Sequence, residues 1–199
     1  MTPVRALATV CAALVAAGCA TPAPPPALPS PQAPNFWSGR FAVTFLEGGY
    51  QPREERSSGR FALLADGERR ELELSSPLGQ TIAQVTLESG DAMLVAADGR
   101  RYRAESAESL TEQVFGWRVP IGDLPRWLTG RIAQPTQREA GRVVAGTDAG
   151  WSVRFEAFED ERPRRLSLDW PADGADGARR LELKLVVDSA DHVGGGAWR

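Results

Sequence analysis

The sequence predicts a mainly β protein in which an antiparallel sheet or barrel is combined with a few short helices. Three observations predict this class. Apolar side chains alternate with polar or small ones through most of the segment 36–187, the period of a strand with one buried face. Glycine-containing turns separate these runs. No long helical patterns alternate with the runs, as they would in a parallel sheet.

The alternating runs give the predicted strands. Each places apolar side chains two residues apart, and together they suggest six or so strands, two helices and then about four strands. The inward-facing positions are Phe41-Val43-Phe45, Phe61-Leu63, Leu72-Leu74, Val85-Leu87, Met93-Val95, Trp151-Val153-Phe155, Leu166-Leu168-Trp170 and Leu181 to Val187. The predicted turns are Glu47-Gly48-Gly49, Asp66-Gly67, Ser89-Gly90-Asp91, Asp98-Gly99 and Asp173-Gly174.

Two short helices are predicted between the two groups of strands. Ser106 is a good N-cap for a helix that carries Ala107, Leu110 and Val114 on one face and ends at Gly116. Asp123 is expected to cap a second helix, which carries Leu124, Trp127 and Leu128 and ends at Gly130.

The N-terminus reads as an export signal. Arg5 is followed by a short apolar stretch that ends in Ala16-Ala17-Gly18-Cys19, and a dozen apolar residues are too few to span a bilayer, which takes about 20. Small residues before a cysteine are typical of a lipoprotein signal, so we expect cleavage after residue 18 and acylation of Cys19. Ala16 departs from that pattern, which usually has leucine there. An ordinary secretory signal cut after Ala17 or Ala20 is the alternative.

The rest of the chain divides into three further parts. Residues 19–35 hold the cysteine and a proline-rich stretch, which is predicted to form an extended stalk rather than a ligand for a recognition domain. Residues 36–190 are long enough for one domain. Residues 191–199 are rich in glycine and are expected to be a disordered tail. Ala20, and not aspartate, follows the cysteine, which favours sorting to the outer membrane.

The composition argues against several kinds of chemistry. A formal net charge of −3 gives no support for nucleic-acid binding. His192 is the only histidine, and it lies in the tail, so neither an ordinary zinc site nor a Ser-His-Asp triad is expected. A glycosidase-like carboxylate pair is not excluded by spacing, although Glu71 and Glu73 fit a solvated strand face. An enzyme, such as a hydrolase, is therefore the weak hypothesis, and we expect no metal and no cofactor.

The aromatic side chains favour a binding function. The chain has six tryptophans and seven phenylalanines, concentrated on the inward strand faces and on the two helices. A solid core is the plain interpretation. A half-barrel covered by two short helices, however, is also suited to enclose an apolar cavity, and Trp117 and Trp127 suit its lining or lid.

Several motifs, taken together and in order, resemble the LolB family of outer-membrane lipoprotein receptors. They are Trp37-Ser38-Gly39-Arg40-Phe41, Ser75-Ser76-Pro77-Leu78-Gly79, Gly116-Trp117-Arg118-Val119-Pro120, Leu124-Pro125-Arg126-Trp127-Leu128-Thr129-Gly130, Gly150-Trp151-Ser152-Val153-Arg154-Phe155 and the strand Leu181 to Val187. The resemblance covers about residues 37–187. It departs from the family before Trp37, where proline replaces the usual helix, and after Val187, where the usual tryptophan is missing.

The resemblance implies an incomplete antiparallel β-barrel with helices covering an apolar cavity. It implies a monomer without catalysis that is anchored at the outer membrane by a diacylglycerol and an N-acyl chain at Cys19. Such a protein would accept acylated lipoproteins from the periplasmic carrier LolA and insert them into the inner leaflet of that membrane. The expected cavity residues are Phe41, Phe61, Leu63, Trp117, Trp127, Leu128, Trp151 and Phe155.

The resemblance also implies a membrane-insertion loop with an exposed leucine, which matches Leu78. The residues agree, because Pro77 and Gly79 favour a tight turn that holds Leu78 outward. A leucine folded back onto the core is the alternative. For the whole protein, the alternative function is a structural or assembly lipoprotein that binds envelope proteins without a lipid cavity.

Overall fold

A computed structural model describes residues 32–48, 50–171 and 179–194. The elements below all belong to one unit, residues 32–199, which we call the body. The predicted signal peptide, Cys19, most of the proline-rich stretch and the Asp173-Gly174 turn lie outside the described residues. No helix in the described part of the chain is long and apolar enough to cross a membrane.

One antiparallel sheet forms the body, with β1 and β11 at its centre. The strands found in the described ranges are β1 (Phe36–Glu47), β2 (Arg53–Asp66), β3 (Arg69–Ser75), β4 (Thr81–Glu88), β5 (Asp91–Ala96), β6 (Arg101–Ala104), β7 (Gln134–Glu139), β8 (Arg142–Asp148), β9 (Trp151–Glu159), β10 (Arg162–Trp170) and β11 (Arg179–Asp191). Their order in space is β6-β5-β4-β3-β2-β1-β11-β10-β9-β8-β7. The edges β6 and β7 do not pair, so the predicted incomplete barrel is confirmed.

The turns of the sheet alternate between its two ends, because all neighbouring strands are antiparallel. We call the end with the β1–β2, β3–β4, β5–β6 and β8–β9 turns the upper end. The lower end carries the β2–β3, β4–β5, β7–β8 and β9–β10 turns. β1 begins at the lower end, so the chain enters the body there.

The first helix is built as the sequence predicts. The helix α1 (Ala107–Phe115) begins after Ser106, whose hydroxyl accepts a hydrogen bond from the Ser109 amide at 3.1 Å. Gly116 ends it in the left-handed conformation, with φ at 81°.

The second helical segment differs from the expectation in its first turn. A short 3₁₀ helix (Ile121–Asp123) leads directly into α2 (Leu124–Leu128), so Asp123 is already helical and its side chain caps nothing. Its carboxylate instead accepts a hydrogen bond from Arg126 at 2.7 Å. The predicted capping role of Asp123 is therefore wrong, because an ion pair one turn along the chain competes for the same oxygen.

The buried apolar core lies entirely between Trp37 and Val187. The body therefore contains a complete hydrophobic core of its own, which is what independent folding requires. One strand buries the face opposite to the predicted one. In β5 the buried side chains are Ala92 and Leu94, not Met93 and Val95, because Leu94 pairs with the inward-facing Val85.

The last strand extends further along the chain than the sequence predicts. β11 continues to Asp191, which was assigned to the tail, and the next residues are tied to the start of the body. The side-chain amide of Asn35 donates to the Val193 carbonyl at 3.0 Å and accepts from the Val193 amide at 2.8 Å. His192 Nδ1 lies 3.0 Å from the Ala33 carbonyl. The predicted start of the tail at 191 therefore lies within β11, residues 192–194 follow it in contact with the start of the body, and residues 195–199 lie outside the described part.

Candidate apolar cavity and exposed turn

The concave face of the sheet and the two helices enclose a cavity of about 330 Å³. This volume is at the lower end of the ~300–1,000 Å³ that is usual for ligand pockets. The wall is almost wholly apolar. Its strand residues include Phe41, Val43, Phe45, Phe61, Leu72, Leu74, Val85, Leu181, Leu183 and Leu185, and its helical side includes Phe115, Trp117, Val119, Ile121, Leu124 and Leu128.

Two glycines leave the space that two phenylalanine rings of the wall occupy. Gly59 lies opposite Phe41 and Gly39 lies opposite Phe61 in the β1–β2 pair. A Cβ atom at Gly59 would come within 2.9 Å of the Phe41 ring, and one at Gly39 within 2.8 Å of the Phe61 ring. Each ring therefore lies over a glycine of the neighbouring strand, a close approach that any larger residue would prevent.

The helical side of the cavity is fastened to the sheet by aromatic contacts. The Trp117 ring lies 4.8 Å from the Phe45 ring and 6.5 Å from the Phe115 ring, measured between centroids. The buried hydroxyl of Thr111 accepts a hydrogen bond from the Val119 amide at 2.8 Å. The segment after α1 is thus held across the cavity rather than left in solvent.

The mouth of the cavity lies beside the upper half of β2. The polar members of the wall, apart from the buried Thr111, are Glu55, Arg56 and Ser57, all exposed. In the described residues β3 begins to pair with β2 only at Arg60, so this half of β2 has no partner on its β3 side. Ile82, at the start of β4, is the other exposed lining residue.

Half of the predicted cavity residues line the cavity. Phe41, Phe61, Trp117 and Leu128 lie on its wall. Leu63, Trp127, Trp151 and Phe155 instead pack in the core beside it, at 0%, 0%, 1% and 3% exposure. These four side chains therefore lie outside the lining of this cavity. Strand periodicity marks an inward face, and the same face continues from the cavity wall into the solid part of the core.

Sequence reasoning missed most of the remaining wall. Val43 and Phe45 were recognised as inward residues of the first strand but not as cavity residues, and the same holds for the β11 residues Leu181, Leu183 and Leu185. The alternation on β1 and β11 was the signal that could have found them, because these two strands pair directly at the centre of the sheet.

A buried carboxylate, Asp148, fixes α2 to the sheet. Its side chain is 5% exposed and accepts hydrogen bonds from Arg126 at 2.9 Å, from Trp127 Nε1 at 2.9 Å and from the Ala133 amide at 3.0 Å. Trp127 also contacts Trp151, with ring centroids 6.5 Å apart. Because Leu124 and Leu128 of α2 line the cavity, this network sets the position of part of its wall. Nothing in the sequence distinguished Asp148 from an ordinary turn residue.

The second carboxylate near Arg126 is in a different environment. Burial raises the pKa of Asp123 above its ordinary value, and the guanidinium of Arg126 offsets only part of this effect. The Asp123 side chain is 32% exposed, compared with 5% for that of Asp148. Asp123 therefore gains little from its ion pair.

Asp148→Ala is expected to lower the free energy of unfolding by about 3 kcal/mol, since it leaves an indole N–H and a backbone amide without their acceptor and removes one of the two carboxylates that Arg126 contacts. Asp123→Ala is the matched control, because it removes the other partner of Arg126, and it should cost under ~1 kcal/mol. Urea denaturation of the body measures both values. Equal losses for the two variants would contradict the role given to Asp148.

The β3–β4 turn projects a leucine into solvent. Leu78 is 91% exposed, between Pro77 and Gly79. The turn is closed by hydrogen bonds from the Gly79 amide to the Ser76 carbonyl at 2.9 Å and from the Ser76 amide to the Gln80 carbonyl at 2.8 Å. Gly79 has φ at 85°, a conformation that glycine adopts without strain. The Leu78 side chain therefore points outward, as the sequence predicts.

An open β-sheet whose helices cover an apolar cavity is the architecture of a protein class suited to apolar ligands. Within the described ranges, no group of three His, Cys, Asp or Glu residues is placed to hold a metal. The family profile described as "Outer membrane lipoprotein LolB" matches residues 37–189. The chain belongs to the LolB family.

Two relatives by sequence agree with this assignment. The chain is 35% identical over 188 residues to the outer-membrane lipoprotein LolB of Bordetella petrii, covering 90% of this chain and 89% of that one. It is 33% identical to LolB of Cupriavidus necator, covering 92% and 96%. Among solved structures, a LolA superfamily protein, NE2245 from Nitrosomonas europaea, aligns with a TM-score of 0.49 and 12% identity over 82% of this chain and 89% of that one.

Proposed function

We propose that this protein is an outer-membrane lipoprotein that accepts acylated lipoproteins from a LolA-type periplasmic carrier and inserts them into the inner leaflet of the outer membrane. The observation that carries the proposal is the apolar cavity, whose mouth lies at the same end of the sheet as Leu78. Membership of the LolB family and the names of the relatives support it.

The cavity suits acyl chains because their exposure to water is costly. Each methylene costs ~0.8 kcal/mol, so a dozen cost on the order of 10 kcal/mol. Cargo must therefore pass directly from one apolar environment to the next. A wall of phenylalanine, tryptophan and leucine accepts such a chain without directional bonds, and the exposed Glu55 and Arg56 at the mouth leave the polar end of the cargo in water.

Leu78 would provide the membrane contact. Burying one leucine is worth ~1.5–3 kcal/mol, which is too little for an anchor and suits a transient encounter. In this proposal the permanent attachment is the acylated Cys19, the body acts as a monomer, and no cofactor or covalent step is required.

The test is the transfer of an acylated lipoprotein from purified LolA-type carrier to the body, followed by transfer into liposomes. We expect cargo to move to the body without ATP and then to the vesicles. If the body takes up neither the cargo nor a fluorescent fatty acid, the protein is a structural or assembly lipoprotein and the proposal is wrong.

A further inference from the structure

We propose that Tyr50, at the tip of the β1–β2 hairpin, is a second membrane contact that acts together with Leu78. The inference rests on the proposed function, because it assumes that the protein delivers acyl chains to a lipid surface. It adds a residue, Tyr50, and a contact surface, which consists of the two uncharged turns of the upper end. The family description and the names of the relatives say nothing of either.

The exposed large apolar residues of the body are not scattered. In the described ranges they are Tyr50 at 101% exposure, Leu78 at 91% and Ile82 at 37%. Tyr50 lies in the β1–β2 turn, Leu78 in the β3–β4 turn, and Ile82 is the second residue of β4. All three therefore lie at the upper end of the sheet. Single exposed apolar residues are ordinary, but their confinement to one end indicates a shared contact surface.

Charge distinguishes two of the upper turns from the turns of the lower end, whereas the upper β5–β6 turn carries the exposed ion pair of Asp98 and Arg100. The turns Gly48-Gly49-Tyr50-Gln51-Pro52 and Ser76-Pro77-Leu78-Gly79-Gln80 contain no charged residue. The four lower turns hold the exposed carboxylates Asp66, Glu68, Glu88, Asp91, Glu139, Glu159, Asp160 and Glu161, with the arginines Arg69, Arg142 and Arg162 among them. Anionic lipids disfavour such an acidic surface, whereas the uncharged turns can enter the headgroup region without loss of a solvated charge.

The chemistry of tyrosine fits the interface better than the interior of a bilayer. Its ring is apolar and its hydroxyl is polar, which is why tyrosine is enriched at the level of the lipid headgroups. A leucine and a tyrosine on neighbouring turns would place one side chain among the acyl chains and the other at the boundary.

The hairpin that carries Tyr50 also forms the mouth of the cavity. Phe45 on one arm lines the wall, and Glu55 and Ser57 on the other arm line the opening. A lipid contact at the tip of this hairpin would therefore direct the mouth toward the membrane. Leu78 alone is a single point of contact and leaves the body free to rotate, whereas two points restrict that rotation.

The anchor does not prevent this orientation. The chain enters the body at the lower end, and β1 has twelve residues, a length of about 40 Å. The sixteen residues from Cys19 to Pro34 can reach at most about 55 Å. The tether is therefore long enough to let the upper end meet the membrane in which Cys19 is held.

The experiment uses single-cysteine variants of the body, residues 32–199. The two cysteines of the chain are Cys11 and Cys19, so the body has none. Tyr50→Cys, Leu78→Cys and Ser89→Cys are each labelled with an environment-sensitive fluorophore and mixed with vesicles of phosphatidylethanolamine and phosphatidylglycerol. Ser89 is an exposed residue of the lower β4–β5 turn and serves as the control. We expect the emission to shift to the blue at positions 50 and 78 and to stay unchanged at 89.

A second measurement uses the native side chain. Tyr50→Ser should raise the vesicle concentration needed for half-maximal binding by about fivefold, as expected from the loss of one partly buried aromatic ring. Gln51→Ser, the same replacement at the neighbouring exposed position, should leave it unchanged.

The outcomes separate this proposal from the proposed function. A response at 78 without one at 50 overturns the role of Tyr50 and leaves that of Leu78 intact. No response at either position overturns the membrane step itself. An equal response at 89 means unspecific adsorption and also overturns the proposal.

Discussion

Leu78→Glu is expected to slow the insertion of cargo into liposomes strongly while folding and cargo uptake stay intact. The side chain is 91% exposed, and the turn is held by backbone hydrogen bonds that do not involve it, so the substitution removes no packing. The membrane contact loses the ~1.5–3 kcal/mol of a buried leucine and gains the cost of placing a carboxylate near lipid. Together these should reduce the insertion rate by at least about tenfold.

Gln80→Glu is the matched control for this variant. Gln80 is an exposed residue of the same turn, so the replacement adds the same charge without removing the apolar side chain. We expect near-normal insertion. Circular dichroism and binding of a fluorescent fatty acid verify the fold and the cavity of both variants. Insertion by Leu78→Glu at the rate of the unaltered protein would refute the role given to this residue.

The sheet could be predicted from the sequence because most of its strands bury one face. Phe61 and Leu63 on β2, or Trp151 and Val153 on β9, produce a period of two that a helix cannot share. The turn residues were equally informative, since Gly67, Gly90 and Gly99 all adopt positive φ at predicted turns. Ser106 and Gly116 identified α1 for the same local reason.

Strands without a one-sided apolar pattern could not be predicted. β7 has the sequence QPTQRE and every residue in it is exposed, so it carries no periodic signal. It forms because β8 offers a partner at the edge of the sheet. In β5, Ala92 to Ala96 are all apolar, and only the pairing with β4 decides which face is buried.

The candidate site was predicted only in part, for a related reason. An inward-facing aromatic residue can line a cavity or fill a core, and the difference depends on what lies opposite. Trp117 faces the open part of the sheet, where Phe45 is its neighbour, whereas Trp127 is enclosed by Trp151 and by the bond to Asp148. That distinction arises from contacts between distant parts of the chain. The exposed position of Leu78 was easier to predict, because the local turn motif alone determines it.

Ser57→Trp is expected to block the cavity and to reduce the uptake of acylated cargo by at least about tenfold. Ser57 lies opposite Val43 in the β1–β2 pair and lines the mouth, so an indole ring at this position would extend over the opening. The cavity is small, at about 330 Å³, and cannot accept both the ring and a full acyl chain. Because Ser57 is exposed, the larger side chain should not disturb the fold.

Ser58→Trp provides the control, since it places the same ring one residue further along the same strand. Ser58 pairs with Ala42, and successive side chains of a strand point to opposite faces, so this tryptophan would lie on the outer face of the sheet. Binding of a fluorescent fatty acid and transfer of lipoprotein from the carrier measure uptake by both variants. If the two tryptophans reduced uptake equally, the mouth would not lie beside β2. If neither did, acyl chains would enter by another route, and the cavity wall would have to be reassigned.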